Sequence, residues 1–389
     1  MPKILRIINR FNIGGPTYNA TFLTRYLEGD YETLLIGGLP EQDEADSLHI
    51  VKDYDLEPLL IEEMQRIPSF RSDRAAYLKI KQIIKEFKPD IVHTHAAKAG
   101  ALGRRAAYAC KVPVIVHTFH GHVFHSYFGK IKTAIFKQIE RKLAKKSDGI
   151  IAISDLQKEE LANVHGICKA DKIKVIPLGF DLDKFNEATL NRKETRIKYN
   201  LKEDEIAVAI VGRLAPIKNH SLFLDVVEKV LALTSKKVKF FIVGDGEERE
   251  MIQERVTFID SKYPNSIEMT SWIKNIGTFN AGMDIMCLTS KNEGTPVSLI
   301  EAQAGNLPIV TTDVGGVRDI MKDKETGYIV QKNNVEQFAE KLLLLIEDNE
   351  LRNKFSKNGW NFVRNKFHYK TLVKSMNEYY QDLLDKKIK

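Results

Sequence analysis

Apolar residues in this chain gather in short, nearly continuous runs, and between the runs they recur every three or four positions. In the first half the runs are Lys3–Ile8, Thr33–Ile36, Asp90–Thr94, Val114–His117, Gly149–Ile153 and Lys174–Pro177. In the second half they are Ile206–Val211, Val238–Val243, Asp284–Leu288, Leu307–Thr311 and Gly327–Val330. Such runs, rich in Val and Ile, read as strands buried on both faces. Thr17–Leu27 and Ala75–Phe87 carry helical spacing, the latter stopped by Pro89, and Ser154 with Gln157 forms a capping box that opens another helix. Strand and helix alternating in this way predict parallel sheets with helices on both sides. The alternation occurs twice. We therefore expect an α/β chain of two Rossmann-like domains facing each other across a cleft: residues 1–180, a hinge or linker at 181–200, a second domain at 201–365, and a helical tail at 366–389.

In open parallel sheets ligands bind beyond the carboxyl ends of the strands, so the residues that follow each strand carry the chemistry. Gly14-Gly15 follows the first strand and opens a helix, which suits close approach of a phosphate, although an ordinary turn would use the same residues. Gly212, Arg213 and Lys218 follow the strand ending at Val211. A planar fork and a point charge suit a diphosphate, against the alternative of plain surface charge. The most informative segment runs from Glu293 to Glu301, with Gly294-Thr295-Pro296 as a turn and Val297-Ser298-Leu299 as a helix start. The amides of Val297–Leu299 are expected to be free donors there, and carboxylates accept hydrogen bonds from vicinal hydroxyls. Glu301 stands in an otherwise apolar run, which argues against a plain solvated helix. Gly244-Asp245-Gly246 and Gly315-Gly316 add turns that suit a nucleotide pressed against backbone.

Composition narrows the class. The 389 residues are 43% hydrophobic and 29% charged, as in a folded protein of two domains. No apolar run reaches the ~20 residues of a spanning helix, and the first residues do not form a signal peptide. Cys110, Cys168 and Cys287 are too scattered for a disulfide or metal framework, so a cytoplasmic location is expected. The net charge is +7, and Lys130–Lys146 alone contributes +6 through Lys130, Lys132, Lys137, Arg141, Lys142, Lys145 and Lys146 against Glu140. One basic stretch fits an anionic membrane surface better than nucleic acid, which calls for a basic face. Ile131, Ile135, Ile139 and Leu143 form a stripe on the same helix, expected to pack on the first sheet while the lysines face lipid.

Taken in order along the chain, these motifs resemble the retaining glycosyltransferases of family 4, which have the GT-B fold. The residues that carry the resemblance are Gly14-Gly15, His120 in His117-Thr118-Phe119-His120, the segment Val175–Asp181, Gly212-Arg213 with Lys218, Gly244-Asp245-Gly246, and Glu293 to Glu301 followed by Gly315-Gly316. The resemblance implies that Arg213 and Lys218 hold the donor diphosphate and that Glu301 holds the ribose. It implies that Glu293 contacts the donor sugar or its phosphate, that Gly15 approaches the diphosphate, and that His120 lies at the reacting centre. Closure about Pro177 is implied as well. Asp319 stands where the family often has Glu, and Thr295 where an aromatic or aliphatic residue is common. The surroundings of His93, His95, Lys98, His120 and His122 further resemble a subgroup that builds bacterial surface polysaccharides on polyprenyl diphosphate. This places His95, Lys98 and His122 on the acceptor side.

The expected partners are a nucleotide-sugar donor, most readily UDP-linked, a lipid-linked sugar acceptor and the inner face of the cell membrane, with no nucleic acid. No cofactor is expected. His93/His95 and His120/His122 could in principle meet as metal ligands, but no carboxylate or cysteine completes a set, and Arg213 with Lys218 supplies the positive charge. A nucleotide-sugar epimerase of the same fold, or a sensor without turnover, are the alternatives. Conversion of a UDP-sugar to its epimer without acceptor would mark the first, and the full set of Arg213, Lys218, Glu293 and Glu301 speaks against the second. A nicotinamide dehydrogenase lacks its glycine fingerprint.

Overall fold

A computed structural model describes residues 1–11, 15–27, 29–39, 48–65, 69–120 and 130–388. Gly14, His122 and the side chain of Lys130 lie outside the described residues. The chain divides into two compact units, Met1–Phe180 with Phe367–Lys389, and Asp181–Lys366.

The first unit is built on a parallel sheet of β1 (Lys3–Arg10), β2 (Glu32–Gly38), β3 (Leu59–Leu60), β4 (Ile91–His95), β5 (Val114–Phe119), β6 (Gly149–Ala152) and β7 (Ile173–Val175), in the order β3-β2-β1-β4-β5-β6-β7. Its helices are α1 (Gly15–Tyr26), α2 (Leu48–Lys52), α3 (Phe70–Phe87), α4 (Ala97–Ala109), α5 (Lys130–Lys145), α6 (Asp155–Glu159) and, returning from the end of the chain, α16 (Tyr369–Ile388). Successive side chains of a strand point to opposite faces. Leu5 and Ile7 of β1 therefore join the core under α3 and α4, while Ile4 joins the core that Leu372, Met376 and Tyr380 of α16 cover. Both faces are dry, which is why the strands read as unbroken apolar runs.

The second unit holds α7 (Asp183–Ala188), α8 (Arg192–Lys198) and a parallel sheet of β8 (Ile206–Val211), β9 (Val238–Val243), β10 (Ile267–Thr270), β11 (Ile285–Leu288), β12 (Ile309–Thr312) and β13 (Gly327–Val330), in the order β10-β9-β8-β11-β12-β13. Its other helices are α9 (His220–Leu233), α10 (Arg249–Lys262), α11 (Ile276–Gly282), α12 (Val297–Ala304), α13 (Val317–Ile320), α14 (Val335–Glu347) and α15 (Asn349–Phe367). In each sheet the chain reverses its direction of travel once: between β1 and β4 in the first, between β8 and β11 in the second. Those are the positions where a parallel sheet opens a crevice at its carboxyl edge.

Three expectations change. Residues 181–200 are not a linker: α7 and α8 fold into the second unit, where Arg196 donates to the carbonyls of Gly282 and Glu205 and pairs with Asp284 at 3.2 Å. The tail is not a separate piece. Its helix belongs to the first unit, and Phe180 exchanges hydrogen bonds with Phe367 (2.8 Å) and Tyr369 (2.9 Å). The stripe on α5 also faces the other way. Ile131, Ile135 and Ile139 are 79%, 54% and 41% exposed and line a shallow groove with Ala134, Gln138 and Lys142. Only Leu143 of the four is buried, beside Ala144 and Glu140. The reason is Glu140. This single acid of the helix is turned inward to a fully buried Arg104 at 2.6 Å, which fixes the inner face and leaves the isoleucines outside.

Candidate active site

In the second unit, the loops after β8 and β11 bring distant residues together. Lys218 Nζ lies 2.6 Å from Glu293 Oε1, across 75 residues of sequence. Ser290 Oγ donates to the same oxygen at 2.6 Å. The side chains of Lys218 and Glu293 are 24% and 10% exposed, so the pair is shielded but reachable. The loops are tied to each other: Thr289 Oγ1 donates to the carbonyls of Lys218 and Asn219, and Lys291 N to that of Ile217. Arg213 stands on the same loop, exposed and with no side-chain partner among the described residues. The aliphatic stem of Lys218 passes across Gly212.

The glycines of this region make room for neighbouring protein backbone. At Gly244 the φ is +144° and a Cβ would collide with the Gly212 carbonyl; at Gly315 the φ is +50° and a Cβ would collide with that of Glu293. Gly316 N donates to the Glu293 carbonyl at 3.2 Å. The Gly315-Gly316 turn thus clamps the loop that carries Glu293. Gly294 alone among these has open space in front of it.

The helix after this loop, α12, begins at Val297 without a side-chain cap. Leu299 N already donates to the Pro296 carbonyl at 3.1 Å, so of the three amides expected to be free, the Leu299 amide is not. Glu301 is half-buried one turn further on. Burial pushes its carboxyl up to about 7, and Lys184 of α7 draws it down. Thr295 and Ser298 are half-buried at the mouth of the loop.

In the first unit, Gly15 is the first residue of α1 and faces Leu178. His120 follows β5, and its Nε2 lies 2.9 Å from His95 Nδ1 at the end of β4. Burial holds the His120 imidazole down to about 3. His95, expected to meet the acceptor, is fully buried and supports His120 instead, because β4 is a central strand covered on both faces. Lys98 is also engaged: its ammonium pairs with Asp73 at 2.6 Å and donates to the Gln65 carbonyl at 2.7 Å. Among the described residues no three His, Cys, Asp or Glu side chains gather as metal ligands.

Three neighbours of these groups escaped sequence reasoning. Ser290 carried a weak signal as the residue just past a strand. Lys184 carried none, lying more than a hundred residues from Glu301 in a segment that read as linker. Trp272, 59% exposed in the loop after β10, rests its ring edge beside Gly244.

Comparison with known proteins accounts for this arrangement. The family described as "Glycosyltransferase Family 4" matches residues 14–184, and "Glycosyl transferases group 1" matches residues 191–362. The chain is 31% identical over 325 residues, 81% of each chain, to the UDP-Gal:alpha-D-GlcNAc-diphosphoundecaprenol alpha-1,3-galactosyltransferase of Escherichia coli. It is 28% identical over 86% of its length and 87% of the relative's to the capsular polysaccharide biosynthesis glycosyltransferase CapM of Staphylococcus aureus. Among solved structures it matches a glycosyltransferase of Rickettsia africae with a TM-score of 0.82 at 22% identity, over 98% of both chains. It also matches Anabaena HepE in complex with UDP, with a TM-score of 0.81 at 17% identity, over 98% of this chain and all of that one. The two matched families and the Escherichia coli relative show that the chain belongs to family 4 of the glycosyltransferases, GT-B enzymes that act on nucleotide sugars.

Proposed function

We propose that the protein is a retaining transferase that moves a hexose or N-acetylhexosamine from a UDP-sugar to a sugar carried on polyprenyl diphosphate, in the synthesis of a bacterial surface polysaccharide. The observation that carries this reading is the Lys218–Glu293 pair beside the unpartnered Arg213, at the carboxyl edge where the second sheet reverses. Support for the donor and acceptor classes comes from the name of the Escherichia coli relative.

Each group has a task on this reading. Arg213 and Lys218 take the diphosphate and stabilise the charge that develops on it as the sugar leaves. On this reading the two cations supply the positive charge of that step, and no metal is assigned to it. Glu293 spends Oε1 on Lys218 and Ser290 and keeps Oε2 for hydroxyls of the donor sugar. Glu301 accepts from the ribose hydroxyls, the first-turn amides of Val297 and Ser298 assist at the phosphate, and the flat face of Trp272 stacks the base. His120 is assigned to the transferred sugar.

The membrane belongs to the same reading. The exposed face of α5 combines three isoleucines with Lys132, Lys142 and Lys145, while its one acid is neutralised inside. Arg141 donates to the carbonyls of Gly166 and His165, and Lys146 lies over the Tyr108 ring at 4.3 Å, so the basic residues are not equivalent. An apolar ridge bordered by cations is complementary to an anionic bilayer surface, where lipid-linked acceptors reside. The test of function is transfer of label from a panel of nucleotide sugars to a synthetic GlcNAc-diphospholipid. Transfer from a UDP-sugar supports the reading. Conversion of the UDP-sugar to its epimer without acceptor would replace it with an epimerase.

A further inference from the structure

Arg6 is fully buried in β1, on the face of the sheet covered by α1 and α16. A guanidinium taken out of water costs several kcal/mol unless it is compensated. Among the described residues no carboxylate pairs with it. Its donors go instead to Thr24 Oγ1 (3.1 Å), the Leu23 carbonyl (3.4 Å), Tyr380 OH (3.2 Å) and His93 Nδ1 (3.1 Å). The strand register sets Arg6 directly opposite His93.

The proton positions follow from this contact. An arginine can only donate, so His93 Nδ1 must carry a lone pair. Tyr380 OH, 2.5 Å away, donates to the same nitrogen. The proton of a neutral His93 then sits on Nε2 and is donated to Thr118 Oγ1 at 2.7 Å. The His95 ring lies against His93 with centroids 4.1 Å apart, and His95 Nδ1 meets His120 Nε2. One proton occupies that second contact. His95 Nε2 is buried with no partner among the described residues. His120 Nδ1 is likewise buried without a partner among them, so either direction of the shared bond leaves one buried N–H of this pair without an acceptor.

We propose that Arg6 is a positioning residue of the transferase: its buried, unpaired charge fixes His93 as the Nε2–H tautomer and keeps the His93–His95–His120 row neutral, so that His120 meets the transferred sugar uncharged. The assignment of a substrate role to His120 rests on the function proposed above; the hold of Arg6 on the row does not. Few other ionisable groups face the row. His117 comes from β5, hydrogen-bonded to Thr94, and Arg104 of α4 is neutralised by Glu140 of α5. Tyr380 of α16 has Tyr31 edge-on to it at 5.8 Å. Burial, with the charge of Arg6 adding to it, holds His93 and His95 well below the ordinary histidine range.

The test combines imidazole nitrogen NMR with the pH dependence of transfer, on the full chain. In the wild type, His93 should be the Nε2–H tautomer, and His93, His95 and His120 should all be neutral down to pH 5. In Arg6→Met, His93 or His95 should begin to titrate, and the acid limb of activity should move up by about one unit, the scale of losing one nearby charge. Arg6→Lys should restore both. A purely structural role would lower activity equally at all pH values. A folded Arg6→Met whose row stays neutral to pH 5 would overturn the proposal. So would a wild-type His93 protonated on Nδ1, a measurement that stands even if Arg6→Met does not fold. Titration of the row without movement of the acid limb would leave the hold of Arg6 standing and overturn the substrate role of His120.

Discussion

Glu301 carries opposed demands. Its carboxyl is raised to about 7 by burial, against an ordinary value of 4.5. Between those values the unfolded chain has released a proton that the fold still holds, so stability falls as pH rises through the window and the penalty is complete above it. Glu301→Gln should therefore raise the melting temperature of the unliganded protein at pH 7.5 and change it little at pH 5. The same substitution removes charge-assisted bonds to a ribose and should weaken UDP-sugar binding about 10- to 100-fold. A variant that is more stable and binds as well as wild type would remove Glu301 from the site. Arg213→Ala and Lys218→Ala should each lower turnover by about 10²- to 10³-fold, the loss of one preorganised charge. Wild-type rates in both would remove the diphosphate assignment. Residue types and their places after strands were legible in the sequence, which is how Lys218, Glu293 and Glu301 stood out. The pairing of Lys218 with Glu293 was not, because it depends on which strands lie side by side. The burial of His95 was hidden for the same reason.

At the scale of elements, α5 shows what periodicity can and cannot say. A repeat of isoleucines every fourth residue marks a helical face, but the face may meet a core, a partner or a lipid. The inward pair of Glu140 with Arg104 decides it here, and Arg104 lies far away in sequence. The exposed ridge now carries a sharper expectation. Ile131, Ile135 and Ile139 changed together to Ser should abolish binding to anionic vesicles, each side chain supplying up to about 1.5–3 kcal/mol when fully inserted. Lys132, Lys142 and Lys145 changed to Gln should remove its salt dependence, at about 1 kcal/mol per cation. Vesicle sedimentation at low and high salt reads both. Undiminished binding by the isoleucine variant would mean that α5 does not dock. Activity on a short soluble acceptor should persist in either variant.

Over the whole molecule, the two sheets were legible because strands buried on both faces have no polar side to interrupt them. The short edge strand Leu59–Leu60 left no such trace. Nor did the return of α16, whose Tyr380 meets Arg6 across nearly the full length of the chain. That return helps to seal a core containing several uncharged histidines. Burial drives His93, His95 and His117 well below their ordinary range and His120 to about 3, and in the second unit it drives His220 to about 4. The unfolded chain binds protons at these positions below about pH 6.5 and the fold does not, so their stability is present above that value and lost as pH falls, by up to about 1.4 kcal/mol per pH unit for each. The melting temperature should drop steeply between pH 6.5 and 5; a flat profile would contradict the neutral burial of these rings. The central claim, that Lys218 and Arg213 drive sugar transfer from a nucleotide diphosphate to a lipid-linked sugar, is tested most directly by labelled transfer from UDP-sugars to GlcNAc-diphospholipid, with wild type and both alanine variants side by side. The account predicts product with at least one UDP-sugar and about a hundredfold less or lower in each variant; no transfer from any nucleotide sugar, or equal transfer by all three proteins, would contradict it.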